Sequence, residues 1–154
     1  APSTDLLILN LVDGTTTPFA ATSFDEEQGS FSPDGRWIAY VANSTSRQEV
    51  YVRRIDGTAP PVRLSAAGGT HPLWRHDGQE LFYLSPADDI VAQDVGALLR
   101  GGQQGQPRTL FRTLLNDFSS YSYPPYAVTP DGQLFLVDAP AQPDPLTLIQ
   151  LPRR

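Results

Sequence analysis

One short turn recurs along this chain at a fixed spacing, and that spacing limits what the chain can fold into. A first series reads Phe31-Ser-Pro-Asp-Gly35, Trp74-Arg-His-Asp-Gly78 and Val128-Thr-Pro-Asp-Gly132. A second reads Leu11-Val-Asp-Gly14 and Arg54-Ile-Asp-Gly57. Asp34 and Asp77 stand 43 residues apart, and so do Asp13 and Asp56. Asp131 follows Asp77 by 54 residues, 11 more than the period. Two interleaved series with one period mark an internal repeat. Periods of about 40–45 residues are typical of four-stranded propeller blades.

The flanks of the turns read as strands. Arg36-Trp-Ile-Ala-Tyr-Val41, Gln79-Glu-Leu-Phe-Tyr-Leu84 and Gln133-Leu-Phe-Leu-Val137 follow the first series. Their near-continuous apolar character predicts burial on both faces, as when one sheet packs between two others. Leu7-Ile-Leu-Asn-Leu-Val12 and Val50-Tyr-Val-Arg-Arg-Ile55 precede the second series. Ile90–Val95 and Leu146–Leu151 fit the same slot, the former with Gly96 alone as its turn. Asp-Gly between two such runs is a strong hairpin signal, because glycine takes positive φ at no steric cost.

With strands labelled A to D from the inside outward, the second unit has A near 28–32, B near 37–42, C near 49–55 and D near 61–65. The third has them near 71–75, 80–85, 89–95 and 108–112. The extra residues fall between C and D or just after, in Gly96–Gln106, a glycine-rich stretch that reads as a flexible excursion. The fourth unit has A near 124–128, B near 134–138 and C near 146–151, and the first has C and D near 6–12 and 17–20. The expectation is an all-β chain of antiparallel four-stranded β-propeller blades, about three and a quarter of them. The units span about 4–22, 23–66, 67–115 and 116–154, in one partial propeller domain over 1–154. Propellers close with roughly 4–8 blades. An open stack exposes blade edges that invite self-association, so a longer parent chain or partner copies are expected to complete the ring. The start at Ala1, without Met, suits a piece of a longer protein or a processed product.

Composition narrows the partners. The chain has 154 residues, net charge −6 and no cysteine. An acidic balance disfavours nucleic acid, and no apolar run approaches the roughly 18–20 residues of a membrane-spanning helix. Without cysteine there is no disulfide, thiolate or Cys-based zinc chemistry.

At these residues the sequence resembles the TolB-like (WD-repeat-like) propeller repeat family. Phe31-Ser-Pro-Asp-Gly-Arg-Trp-Ile-Ala-Tyr40 and Glu49-Val-Tyr-Val with Asp56-Gly57 carry the likeness. Residues 68–84 and 126–137 look more specifically like the C-terminal propeller region of some bacterial serine/threonine protein kinases. A similar repeat occurs in prolyl oligopeptidase-type peptidases. The kinase nucleotide loop, His-Arg-Asp and Asp-Phe-Gly motifs and the Gly-x-Ser-x-Gly elbow are missing from the sequence. Any such catalysis is therefore expected outside this chain. The resemblance implies the outer side of a bacterial inner membrane.

Each candidate residue also has a structural role open to it. Asp34-Gly35, Asp56-Gly57, Asp77-Gly78 and Asp131-Gly132 repeat at equivalent positions, which suits turn capping rather than a single active site. Asp13 reads the same way. Asp25, Glu26 and His71 are expected on one rim, where D-to-A and B-to-C loops meet. A divalent cation or cationic ligand could sit there, but a solvated loop with His71 against Pro72 is the plainer reading. No metal or cofactor is assigned. Tyr121 and Tyr123, in Phe118-Ser-Ser-Tyr-Ser-Tyr-Pro-Pro-Tyr126, suggest an aromatic platform for a sugar or peptide. A packed loop is the alternative. Trp37 and Trp74 read as packing residues, His76 as a surface residue, Arg53-Arg54 as the exposed side of a strand, and Asp88-Asp89 as a solvated B-to-C turn. The function expected is a non-enzymatic sensing module that binds a protein or small-molecule ligand, with Asp25, Glu26, His71, Tyr121 and Tyr123 as contacts. The alternatives are an accessory segment of an enzyme and a self-assembling half-propeller.

Overall fold

The computed structural model describes residues 3–113 and 124–138. Tyr121, Tyr123 and the C strand expected near 146–151 lie outside them. The described residues form twelve strands and one helical turn. β1 (Leu6–Leu9) and β2 (Thr16–Ala20) make a two-stranded sheet. β3 (Glu26–Phe31), β4 (Trp37–Ala42), β5 (Glu49–Arg54) and β6 (Val62–Arg63) make a four-stranded meander. β7 (Thr70–Trp74), β8 (Glu80–Leu84), β9 (Asp89–Asp94) and β10 (Arg108–Arg112) repeat it. β11 (Tyr126–Val128) and β12 (Phe135–Val137) form the last pair. All pairings are antiparallel. This is a set of propeller blades, two of them with all four strands.

Both faces of each complete blade are buried, and alternation decides which neighbour each side chain meets. From β4, Ala39 and Val41 join Val50, Val52, Leu81, Tyr83 and Val91 in the core between the second and third sheets. Ile38, Tyr40 and Ala42 of the same strand pack with Phe19 and Ala20 of the first. β8 divides likewise, sending Phe82 and Leu84 toward Tyr126, Phe135 and Val137. Side chains on a strand alternate in direction, so an unbroken apolar run serves two interfaces at once.

The Asp-Gly turns are built alike. Ser32 Oγ donates to Asp34 Oδ1 at 2.7 Å and the Arg36 amide donates to the same oxygen at 3.0 Å. Asp131 accepts from Thr129 Oγ1 at 2.6 Å and from the Gln133 amide at 3.0 Å. Asp77 accepts from the Gln79 amide at 2.9 Å and from both ends of the Arg75 guanidinium at 2.8 Å. Asp13 and Asp56 accept from the amides and hydroxyls of Thr15 and Thr58. Gly35, Gly78 and Gly132 hold φ of 69°, 70° and 72°, the left-handed region that suits glycine.

Some local expectations are corrected. Gly96 is not a lone turn residue but opens a one-turn helix, α1 (Gly96–Leu99). The excursion after it is tethered: the Gln93 side-chain amide donates to the Gly105 carbonyl, and the Gly105 amide to the Asp94 carbonyl at 3.0 Å. Arg53 is not simply exposed. Its guanidinium donates to the Phe19 carbonyl at 2.6 Å, lies 5.4 Å from the Phe19 ring centroid, and keeps its Nε buried.

Candidate functional site

The inner strands carry a matched irregularity. β3 slips register against β4 between Glu27 and Ser30, and β7 slips against β8 between Thr70 and Leu73. Within these bulges Gln28 and His71 adopt φ of 57° and 54°. They stand at the same repeat position, 43 residues apart. Bulges re-aim side chains, and here they join the blades. The His71 amide donates to Gln28 Oε1 at 2.6 Å. Tyr126 Oη, from the next sheet, donates to the His71 carbonyl at 2.7 Å. Burial raises the Tyr126 phenol well above its ordinary pKa. His71 is 3% exposed and sits in strand β7, not in a solvated loop. Its Nδ1 lies 3.0 Å from Thr70 Oγ1.

The other predicted contacts separate. Glu26 is buried at 3% exposure, and its carboxylate accepts the Thr22 amide at 3.2 Å and the Thr22 hydroxyl. Asp25 turns the other way. It accepts the Thr4 amide at 3.0 Å and the Asn43 side-chain amide at 2.8 Å. The Asp25 amide in turn donates to Asn43 Oδ1 at 3.0 Å. This clasp ties the D-to-A connection, between β2 and β3, to the B-to-C connection, between β4 and β5.

Beside the clasp lies a recess of about 440 Å³, lined by Ser23, Phe24, Asp25, Asn43, Ser44 and Ser46 with Ser3. Hydroxyls and an amide dominate it, and Phe24 adds a ring left 43% exposed. Of Asp25, Glu26 and His71, only Asp25 lines it. Asn43, Ser44, Ser46 and Phe24 were missed by sequence reasoning. The signal available was the polar run Asn43-Ser-Thr-Ser46 between two apolar strands. Among the described residues, no three His, Asp or Glu side chains gather as a metal site.

Solved structures with the same arrangement fix the fold. TolB from Acinetobacter baumannii superposes at a TM-score of 0.64 with 16% identity, over 85% of this chain and 31% of its own. The fold is a TolB-like β-propeller. A protein assigned as TolB from Agrobacterium tumefaciens gives 0.53 at 24% identity, over 68% of this chain and 40% of its own. The oligogalacturonate lyase of Vibrio parahaemolyticus gives 0.55 at 12% identity, over 82% and 33%. The chain thus spans between about a third and two fifths of the length of these propeller proteins. No family model matches it, and neither does any curated protein sequence.

Proposed function

We propose that this segment is a non-enzymatic binding module of a larger TolB-like propeller protein, and that it engages a ligand or partner at the rim formed by the D-to-A and B-to-C loops. The carrying observation is the recess of about 440 Å³ held open by the Asp25–Asn43 clasp. Stacked sheets give the loops a rigid base, the usual arrangement for binding loops. Serine hydroxyls and the Asn43 amide supply directional polar contacts, and the Phe24 ring offers an apolar face. Sugars and peptides present both kinds of surface.

Binding rather than catalysis is supported by how the carboxylates are used. Asp25, Glu26 and the five turn aspartates all accept hydrogen bonds that hold their own loops together. The family resemblance supports an extracytoplasmic bacterial location, and the cysteine-free sequence is compatible with it. Among the described residues no helix is long and apolar enough to cross a membrane. The test is nuclear magnetic resonance of the labelled chain against a panel of neutral oligosaccharides and short peptides. Shifts are expected at the Phe24, Asn43 and Ser44 amides and should vanish in Phe24→Ala. Ligands that perturb the chain only elsewhere would remove the rim assignment.

A second reading has its own observation. Leu7 and Leu9 are 57% and 58% exposed on β1, and Leu134 and Leu136 are 69% and 77% exposed at β12. Apolar terminal sheet faces favour association. Light scattering of the isolated chain tests it: a monomer of 16.8 kDa would count against assembly from copies.

A further inference from the structure

The opposite face of the blades, which carries the Asp-Gly turns, holds a groove of about 470 Å³. One wall is the turn Ser32–Trp37 of the second blade with Arg54. The other is the turn His76–Gln79 of the third blade with Gly96, Leu99 and Arg100. The volume falls within the range of roughly 300–1,000 Å³ usual for ligand pockets. The second blade has no helix between its C and D strands, so the groove depends on α1, which supplies Leu99 directly and leads into Arg100.

Its lining sets three arginines and two aspartates beside the apolar Trp37 and Leu99. Trp37 and Leu99 are half-buried and pack on the core shared by the two blades. Arg54 is engaged: it grips Asp56 and lies 5.7 Å from the Trp37 ring centroid. Arg36 is exposed and attracts the Asp34 carboxylate, without a side-chain hydrogen bond or ion-pair contact among the described residues. Arg100 donates one bond of 3.0 Å to Gln79 Oε1 and retains further N–H groups. Asp34 and Asp77 also line the groove and keep their charge: Asp34 closes its own turn and draws on Arg36, and Asp77 holds Arg75. Arg36 from one wall and Arg100 from the other therefore offer guanidinium N–H groups to a groove that Trp37 and Leu99 also line, in a chain whose net charge is −6. Guanidinium is the side chain best matched to a carboxylate.

We infer that this groove binds a short extended peptide carrying acidic side chains on either side of an apolar one. The peptide form follows from the cations coming from opposite walls of a groove that Trp37 and Leu99 also line. A single free carboxylic acid would answer only one wall.

The experiment titrates the full 154-residue chain with acetyl-Glu-Leu-Glu-amide at low ionic strength, following backbone amides and the Trp37 indole. Shifts are expected at Arg36, Trp37, Leu99 and Arg100. Affinity should fall at least about tenfold for acetyl-Gln-Leu-Gln-amide, for the double variant Arg36→Gln/Arg100→Gln, and in about 0.5 M salt. The thermal midpoint of the variant should match that of the parent, since both side chains are exposed. Equal affinity for the neutral peptide, unchanged binding by the double variant, or shifts confined to the Phe24–Asn43 recess would each overturn the inference. So would 4-methylpentanoate binding as tightly as the acidic peptide, or no binding at all.

Discussion

The second and third blades pair their strands in the same way, yet equivalent residues meet different surroundings. Phe31 and Trp74 both end an inner strand, 43 residues apart. Trp74 is 9% exposed, lies in the core between the two blades, and donates from its indole to the Ser30 carbonyl at 3.0 Å. Phe31 is 55% exposed. The difference comes from the neighbours. Trp74 has β3 and β4 beside it, whereas the sheet next to Phe31 holds only β1 and β2. A repeat position prescribes backbone geometry; burial depends on what stacks against it.

The largest effect that tests this contrast is the removal of the two rings. Trp74→Ala should cost about 3–5 kcal/mol in denaturant unfolding, because a filled interface becomes a cavity and the Ser30 carbonyl loses its donor. Phe31→Ala should cost under about 1 kcal/mol, since little area is withdrawn from water. Equal costs would mean that the first sheet covers Phe31 in solution as fully as the second covers Trp74.

Much of this architecture was readable from residues. Strands β3 to β5 and β7 to β10 begin and end within about two residues of the expected spans, because each is an apolar run bounded by Asp-Gly or a polar turn. Other features left no such mark. Positive φ at Gln28 and His71 is a demand of the bulge, and neither residue type announces it. Glu26 and Asp25 are neighbours in sequence, yet strand alternation turns one carboxylate inward and leaves the other on the loop. The recess around Asn43 depends on two connections 18 residues apart in sequence meeting in space. The extra length in the third unit was placed near Gly96–Gln106. Among the described residues, part of it lies in the β9–β10 connection, where α1 forms.

The turns provide the next comparison. Asp34 and Asp77 cap equivalent turns, but Asp77 also holds Arg75, whose guanidinium bonds Glu80 at 2.5 Å as well. Asp34→Ala should cost about 1 kcal/mol through two lost hydrogen bonds at an exposed site. Asp77→Ala should cost more, since it also unties one side of the Arg75 guanidinium. Chemical denaturation of the two variants checks the order. A larger loss from Asp34→Ala would show that the Arg75 network contributes nothing.

Acid should act on all these turns together. Hydrogen bonds from Thr15, Ser32 and Thr129 hold the Asp13, Asp34 and Asp131 carboxyls below the ordinary value of 3.8. The bond from the Arg75 side chain does the same for Asp77. The folded state thus prefers the charged carboxylate. Its contribution to stability is fully present above pH 3.8 and is lost as the pH falls through the lower folded values. A thermal midpoint that drops steeply below about pH 4, and less steeply in Asp34→Ala/Asp131→Ala, is the expected result. A drop centred above pH 5 would point to other groups.

The smallest effect separates the two B-to-C turns. Ser46 in the second blade and Asp88 in the third both adopt left-handed φ, at 67° and 61°. Ser46 is exposed, and its amide donates to the Asn43 carbonyl at 3.1 Å. Glycine there keeps that bond and removes the clash of Cβ with the backbone, at some entropic cost in the unfolded chain. The net result should be a gain of about 0.5 kcal/mol for Ser46→Gly. The Asp88 carbonyl accepts both the amide and the hydroxyl of Thr113 at 2.8 Å, which pins that turn to strand β10. Asp88→Gly should leave these carbonyl bonds in place and relieve the same backbone strain, but it also removes a carboxylate that attracts Arg112, so its gain should be smaller. If Ser46→Gly instead destabilises the chain, the hydroxyl that lines the recess also holds its loop, and the rim is stiffer than the exposed turn alone would make it.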